Sequence, residues 1–319
     1  MFQTIIGEDL KICKDLLESG EAVAVPTETV YGLAANALDS NAVLKIFEIK
    51  NRPQFDPLIV HVKSADDVAN YVQEIPEQAK LLMRAFSPGP ITFLLPKKNN
   101  IPDLVTSGLD TVGIRIPSHP LLQKLLHQLE FPLAAPSANP FGYISPTTSL
   151  HVYEQLQGKL HYILEGGPSA VGVESTIVGF EEGKVIVYRP GGLPIEKIES
   201  VVGKIIINSN ESSNPVSPGM LKSHYAPLKE LRIYEEGDTI DTSAAIIGFN
   251  QFIDGINKEQ QYLLSPESNT SEAASKLFSV MRLLDQSKYP LIYAVNFPNE
   301  GLGVAINDRL KRAAADRTK

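Results

Sequence analysis

KNRPQFDPLIVHV, residues Lys50–Val62, holds three kinds of sequence in thirteen positions. Lys50 and Arg52 close a run, NAVLKIFEIK (Asn41–Lys50), whose apolar residues recur at helical spacing. Pro53 stops that helix, because it lacks an N–H and restricts the residue before it. LIVHV (Leu58–Val62) is short, apolar and bounded by breakers, so it reads as a strand. The same alternation recurs outward from this stretch. AVAVP (Ala22–Pro26), ITFLLP (Ile91–Pro96), VGIRIP (Val112–Pro117) and PLAAPS (Pro132–Ser137) read as strands. EQAKLLMRAF (Glu77–Phe86) and HPLLQKLLHQLE (His119–Glu130) read as helices, with Asp39 or Ser40 and Ser118 as candidate N-caps. Ser175–Phe180 and Lys184–Arg189 predict a hairpin. The class is α/β.

At 319 residues the chain has room for two domains. The polar run Asn208–Asn214 reads as a linker, and a second pattern follows it. ELRIYE, AAIIGFN, QYLLS and LIYAVNF would be its strands, with helices over Ser271–Gln286 and Gly303–Asp316. Strand–helix alternation predicts a small α/β domain with parallel strands. The organisation is therefore a first domain over 1–208, a linker over 209–229 and a smaller domain over 230–319. The linker contains SPGMLKSHYAP (Ser217–Pro227), whose prolines, histidine, tyrosine and lysine are unusual for a passive tether. One reading makes it a lid over the first domain, with His224 and Tyr225 reaching the site. The other has Met220 and Tyr225 gluing the two domains together.

Composition removes several classes. The formal net charge of −8 argues against broad nucleic-acid binding, which needs a basic face. The six histidines do not pair with one another or with cysteine at metal-ligand spacing, so no metal site is assigned to protein side chains. No apolar run reaches the roughly 18 residues of a membrane span, and the N-terminus lacks signal-peptide features. The single cysteine, Cys13, excludes an internal disulfide and fits a reducing cytoplasm. It lies in an apparent amphipathic helix, as a core thiol rather than a nucleophile. Phosphate-loop, dinucleotide and nucleophile-elbow motifs are absent.

Polar residues gather where the strands end, which is where a rigid scaffold presents groups to a ligand. AVAV runs into PTETVYG, with Thr27, Glu28 and Thr29. Threonines in a turn also cap backbone groups, so this stretch alone does not decide. Lys50 and Arg52 suit a helix C-terminus as well as an anion. His61 lies inside an apolar strand beside those two cations. Arg115 lies inside another, and an unpaired buried arginine costs several kcal/mol. It must meet an anion, and a carboxylate matches its planar fork. APSANPFGYISPTT offers small residues and hydroxyls (Ser137, Asn139, Ser145, Thr147), VESTIV adds Glu174, Ser175 and Thr176, and Arg189 ends a strand. Cations interleaved with hydroxyls suit a polyanion and a carboxylate held together, with catalysis by positioning and charge neutralisation.

VPTETVYGLA, KNRP…DPLIVHV, SPGPITFLL, VGIRIPSHP, APSANPFGYISPT, GVESTIV, YRPGG and SPGMLKSHYAP together resemble the long form of the YrdC family. The resemblance spans Pro26–Gly192 and the linker, and reaches the last third by position and pattern only. It implies an open, twisted sheet with a concave basic cavity, followed by a Rossmann-like domain. It implies synthesis of L-threonylcarbamoyl-AMP from L-threonine, bicarbonate or CO2, and ATP with Mg2+, releasing pyrophosphate, and a downstream tRNA threonylcarbamoyl-transfer machinery. By matching positions, Thr29, His61, Arg115, Ala135 and Ser175 would hold threonine. Arg52, Asp56, Thr111, Ser137, Ser145 and Arg189 would hold ATP. Lys50 and Arg52 would serve the phosphates in catalysis. Asp56 departs from the family pattern, where many relatives carry asparagine. Two other readings stand beside this one: a tRNA or double-stranded RNA binder without chemistry, and a different carbamoyl transfer of the hydrogenase-maturation kind. The second lacks the cysteines its extra modules need.

Overall fold

The computed structural model describes residues 3–208 and 223–315. Ser217, Met220 and Lys222 of the linker lie outside the described residues. The first part forms one mixed sheet. Its strands are β1 (Ile5–Gly7), β2 (Val23–Val25), β3 (Gly32–Asn36), β4 (Ile59–His61), β5 (Ile91–Pro96), β6 (Thr111–Arg115), β7 (Leu133–Ala134), β8 (Tyr162–Leu164), β9 (Thr176–Glu181), β10 (Lys184–Arg189) and β11 (Ile206–Ile207). Their order is β1-β8-β2-β3-β7-β4-β6-β5-β9-β10-β11. The expected strands and the β9–β10 hairpin are present. β1, β3, β8 and β11 were not anticipated. β1 and β11 are sheet edges of three and two residues, too short for a period to show. β3 continues straight out of a polar turn, in antiparallel register with β2.

Side chains alternate across a strand, and here the alternation separates a covered face from an open one. Val60, Phe93, Val112 and Ile114 pack into the main core with Val43 and Ile46 of the helix Ser40–Lys50 and Leu82 of the helix Glu77–Phe86. On the opposite face, Val23, Val25, Ala34 and Leu133 are covered by Cys13, Leu17, Leu122 and Leu125, from the helices Leu10–Glu18 and Pro120–Leu126. β4 and β6 lie farther along the sheet, beyond β7. His61 and Arg115 sit opposite each other in parallel register there, on the face that Val60 and Ile114 do not occupy. Asp39 caps the helix Ser40–Lys50 by accepting from the Asn41 N–H. Ser118 does not cap its helix. His119 takes that position without a side-chain bond, and Pro120 opens the first turn, where a missing N–H costs nothing.

The second sheet is wholly parallel, as the alternation predicted: β12 (Glu230–Tyr234), β13 (Ala245–Gly248), β14 (Gln261–Leu263) and β15 (Leu291–Val295), in the order β12-β15-β13-β14. Its helices are Thr270–Asp285 and Gly303–Ala314. Asn269 caps the first by accepting from the N–H groups of Ser271 and Glu272. The core of this part takes in Val30, Ile144 and Val173 of the first, so the two sheets share a buried seam. Gly172 marks how tight it is. Its φ is +79°, and a Cβ there would lie 2.4 Å from the Ala274 carbonyl oxygen. Only glycine meets both conditions.

Candidate active site

A cavity opens on the uncovered face of β4 and β6, with walls from three sources. The first is the sheet, through His61 and Arg115. The second is the strand-end turns: Thr27 and Thr29 after β2, Ala135 and Ser137 after β7, and Ser175 before β9. Arg52 and Arg189 form the third wall, with Glu174 and the pair His224–Tyr225.

Arg115 is 4 % exposed. Its Nη1 donates to Thr29 Oγ1 at 2.8 Å, and Nη2 lies 2.7 Å from Glu28 Oε1. The Glu28 contact is an ion pair out of line with the N–H. Nε and Nη2 therefore have no aligned acceptor, while the Glu28 carboxylate is held by the Arg115 charge and by the backbone N–H groups of Glu28 and Ser118. Thr29 is fixed in turn by Thr27, whose Oγ1 lies 2.8 Å away and donates to the Val30 carbonyl. Burial pushes the Glu28 carboxyl up, but the Arg115 charge and the hydrogen bonds from Arg115, Glu28 and Ser118 together outweigh it, and the group stays ionised below the usual range. His61 is pushed down to about 3, by burial first and by Arg115 next. It is a neutral imidazole at physiological pH, with Nδ1 unpartnered. Arg115 and the neutral His61 thus face the cavity together, with Glu28 paired to Arg115 beside it.

The second cationic patch is more heavily engaged by the protein. Arg52 donates through Nε to the Asp56 carbonyl at 3.1 Å and through Nη2 to the Pro57 carbonyl at 2.8 Å, and it pairs with the Asp56 carboxylate at 2.8 Å. Asp56 is fully buried, and that burial raises its pKa despite Arg52. Arg189 donates to the Ser175 carbonyl and hydroxyl at 2.9 and 3.2 Å. The Ser175 hydroxyl also meets Thr92 Oγ1 at 2.8 Å. Lys50 stands behind the wall. Its ammonium donates to the Ser137 and Asn139 carbonyls at 2.5 and 2.6 Å, and burial followed by Arg52 lowers its pKa well below the usual lysine range. That geometry makes Lys50 the staple of the loop that presents Ala135 and Ser137.

Not every expected residue faces the cavity. Asp56 and Ser145 lie behind it, and the Ser145 hydroxyl donates to Glu174 Oε1 at 2.5 Å. Thr111 shares the Arg115 face of β6 but opens the strand that Arg115 closes. Tyr225 is buried with φ +61°, a left-handed conformation rare for a bulky residue. Its ring stacks on Phe278, with centroids 5.7 Å apart, and meets the His224 ring edge-on at 4.1 Å. His224 is lowered well below the usual range by burial, then by Arg52 and Lys50. Tyr225 lines the cavity, as the lid reading requires, and belongs to the second core, as the glue reading requires. Arg309, from the helix Gly303–Ala314, escaped the sequence reading altogether. It is fully buried and donates through Nε to Glu174 Oε2 at 2.8 Å. Nothing in RLKRAAA separates it from the exposed cations that usually end a helix.

Among the described residues no group of three or more His, Cys, Asp or Glu side chains could hold a metal ion, and no helix is long and apolar enough to cross a membrane.

The chain resembles known proteins along its whole length. Residues 15–191 match the family Sua5_yciO_yrdC, described as "Telomere recombination", and residues 193–315 match "Threonylcarbamoyl-AMP synthase, C-terminal domain". The threonylcarbamoyl-AMP synthase of Pyrococcus abyssi is 38% identical, over 97% of this chain and 94% of its own length. That of Bacillus subtilis is also 38% identical, over 95% and 92%. The crystal structure of P. abyssi Sua5 complexed with L-threonine superposes with a TM-score of 0.88 at 36% identity, covering 98% of this chain and 97% of that one. Escherichia coli YciO, at 22% identity and a TM-score of 0.53 over 60% of this chain, shares the fold of the first part. An open cavity on one mixed sheet, a second α/β sheet packed against that part, and matches over almost the whole chain leave one assignment: the chain belongs to the Sua5/YciO/YrdC family, in its long form with a second domain.

Proposed function

We propose that this chain is an L-threonylcarbamoyladenylate synthase, a nucleotidyltransferase that makes L-threonylcarbamoyl-AMP and pyrophosphate from L-threonine, bicarbonate or CO2, and ATP. The observation that carries the reading is the patch around Arg115. An α-amino acid presents a carboxylate and an amine on one carbon. Arg115 has N–H donors for the first, and neutral His61, with Nδ1 unpartnered, lines the same cavity beside it for the second, while Glu28 is paired with Arg115 outside the lining. Relatives named for this product, and a structure of one bound to L-threonine, match almost the whole chain.

The residues support a reaction run by positioning. The threonine amine adds to CO2 and loses a proton, giving a carbamate. A carbamate oxygen attacks the α-phosphorus of ATP as the bond to pyrophosphate breaks. Negative charge grows on the transferred and leaving groups, and Arg52 and Arg189 lie on the wall where it would be neutralised. Both guanidiniums are anchored to backbone carbonyls, so little reorganisation is needed. Mg2+ fits this site as a companion of ATP. It would be held by phosphate oxygens and water, its usual manner, since Asp56 and Glu174 are already paired with arginines. His224 and Tyr225 exclude water from a mixed anhydride that hydrolyses readily. The product would pass to a machinery that transfers the threonylcarbamoyl group to tRNA, a step consistent with work in the cytoplasm.

The test is pyrophosphate release from ATP by the purified chain. Release that requires both L-threonine and bicarbonate, with threonylcarbamoyl-AMP identified by mass, supports the reading. Release independent of threonine, or none, overturns it.

A further inference from the structure

Glu174 is an anomaly in a cavity for anions. It is buried on the cavity wall, next in sequence to the Ser175 that Arg189 grips. An ionised carboxylate there would repel a triphosphate unless something cancels it. Nothing in the first domain makes an ion pair with it among the described residues. Its partner is Arg309, which arrives from the second domain with a 2.8 Å contact to Oε2, while Ser145 donates to Oε1. Arg309 does a second thing. Its guanidinium carbon lies 5.0 Å from the Tyr225 ring centroid, and Phe278 stacks on the same ring at 5.7 Å. Arg309 and Phe278, both of the second domain, thus hold the residue that lines the cavity mouth. Asp308 braces Arg309, accepting from Nη1 at 2.5 Å and from Arg312 Nε at 3.0 Å.

We infer that Arg309 is a positioning residue of the active site, through which the second domain both cancels the Glu174 charge beside the nucleotide and fixes Tyr225 over the cavity. This rests on the proposed function, and it gives the second domain a part in the reaction that needs no ligand site of its own. Arg309 does not line the cavity, so it acts through Glu174 and Tyr225. Removing it leaves a buried carboxylate facing ATP and a tyrosine in a left-handed conformation without one of the second-domain side chains that pack on its ring. The effect falls on ATP. Threonine sits against Arg115 and His61, whose contacts do not include Glu174 or Arg309.

The measurement is calorimetric titration of L-threonine and of a non-hydrolysable ATP analogue into wild type, Arg309→Ala, Glu174→Gln and the double variant, with the pyrophosphate assay alongside. Truncating one member of a buried charge pair predicts an analogue affinity about 30-fold or more weaker in Arg309→Ala, with threonine affinity within about threefold of wild type. In the double variant the repelling charge is gone, so the analogue regains about tenfold. A merely structural arginine would weaken both ligands together, and removing the charge of Glu174 would leave analogue affinity where Arg309→Ala had put it. Either pattern overturns the inference. Should Arg309→Ala not fold, Arg309→Lys keeps the charge but not the fork that serves two partners at once. It is expected to weaken the analogue about tenfold with threonine unchanged, and wild-type analogue affinity in it overturns the inference equally. If wild type itself releases no threonine-dependent pyrophosphate, the proposed function has failed, and the comparison of Arg309 variants is not what failed.

Discussion

The two sheets of this molecule are built from similar sequence and do opposite things with their open ends. In the first, β4 and β6 carry His61 and Arg115 on an uncovered face, with donors and acceptors that the protein does not satisfy. The second is a parallel sheet, and such sheets usually bind ligands beyond the carboxyl ends of their strands. There Phe249 and Phe297 follow β13 and β15 and pack together, with ring centroids 5.3 Å apart, beside a cavity lined by Ile233, Glu235, Asn296 and Asn299. Asn307 donates to the Phe297 carbonyl and accepts from its N–H. One sheet aims buried polar groups into its cavity at a cost in stability, while the other places an aromatic pair and a backbone-bonded asparagine at the ends of β13 and β15. A Rossmann-like pattern therefore predicts a layer arrangement, and the site must be argued from its residues.

The comparison breaks hardest at Arg115. Arg115→Ala strands Glu28 in a buried patch, which costs about 3–5 kcal/mol of stability, and threonine binding should vanish from the calorimeter in whatever protein remains folded. Threonine affinity near wild type would remove the amino-acid site from this face. Next comes Phe297→Ala. Emptying a packed aromatic position costs about 3–5 kcal/mol, read as a lowered denaturation midpoint. KM values for ATP and threonine should stay within about twofold of wild type, as expected for a distant site. A selective rise in KM for ATP would show that the second crevice is a nucleotide site after all. Tyr225→Ala should fold and bind threonine while losing intact product, because the cavity mouth loses the ring that excludes water. Undiminished yield of threonylcarbamoyl-AMP would reduce Tyr225 to domain glue.

The smallest effect is in pH. His61 is held down to about 3 and His151 to about 4, and His224 well below its ordinary range, each by burial first. Unfolded, all three titrate near 6.5. As pH falls below about 6.5 the unfolded chain takes up protons that the native one refuses, so stability falls. Glu28 and Glu174, held low in the native state, add losses of the same sign below the ordinary carboxylate pKa of about 4.3. Asp56, whose pKa is raised, runs the other way. The melting temperature should drop between pH 6.5 and 5, before the carboxylates titrate. A flat profile there would mean that the histidines are not buried neutral.

Much of the open face was legible in the sequence. A histidine and an arginine inside apolar strands must either be paired or serve a ligand, and strand alternation places each on a definite face. The partners were not legible. Glu28 reads as part of a turn, and only the fold brings it to Arg115. Lys50 and Arg52 look alike as cations at a helix end, yet loop carbonyls take the Lys50 ammonium while Arg52 reaches the wall. The strands read best where an apolar run has breakers on both sides. β3 was missed because it starts inside a functional turn, and β1 and β11 because a few residues carry no period. Arg309 meets Glu174 across 135 positions of chain, a separation at which no local pattern carries information.

Labour is divided between the two domains: the first carries the ligand cavity, and the second acts on it through Glu174 and Tyr225. The direct test is the stoichiometry of a non-hydrolysable ATP analogue, titrated in the presence of L-threonine. The expected result is one analogue per chain in wild type, with the binding lost or strongly weakened in Arg52→Ala and in Arg189→Ala. Two analogues per chain, or one that survives both substitutions, would place nucleotide binding elsewhere and contradict it.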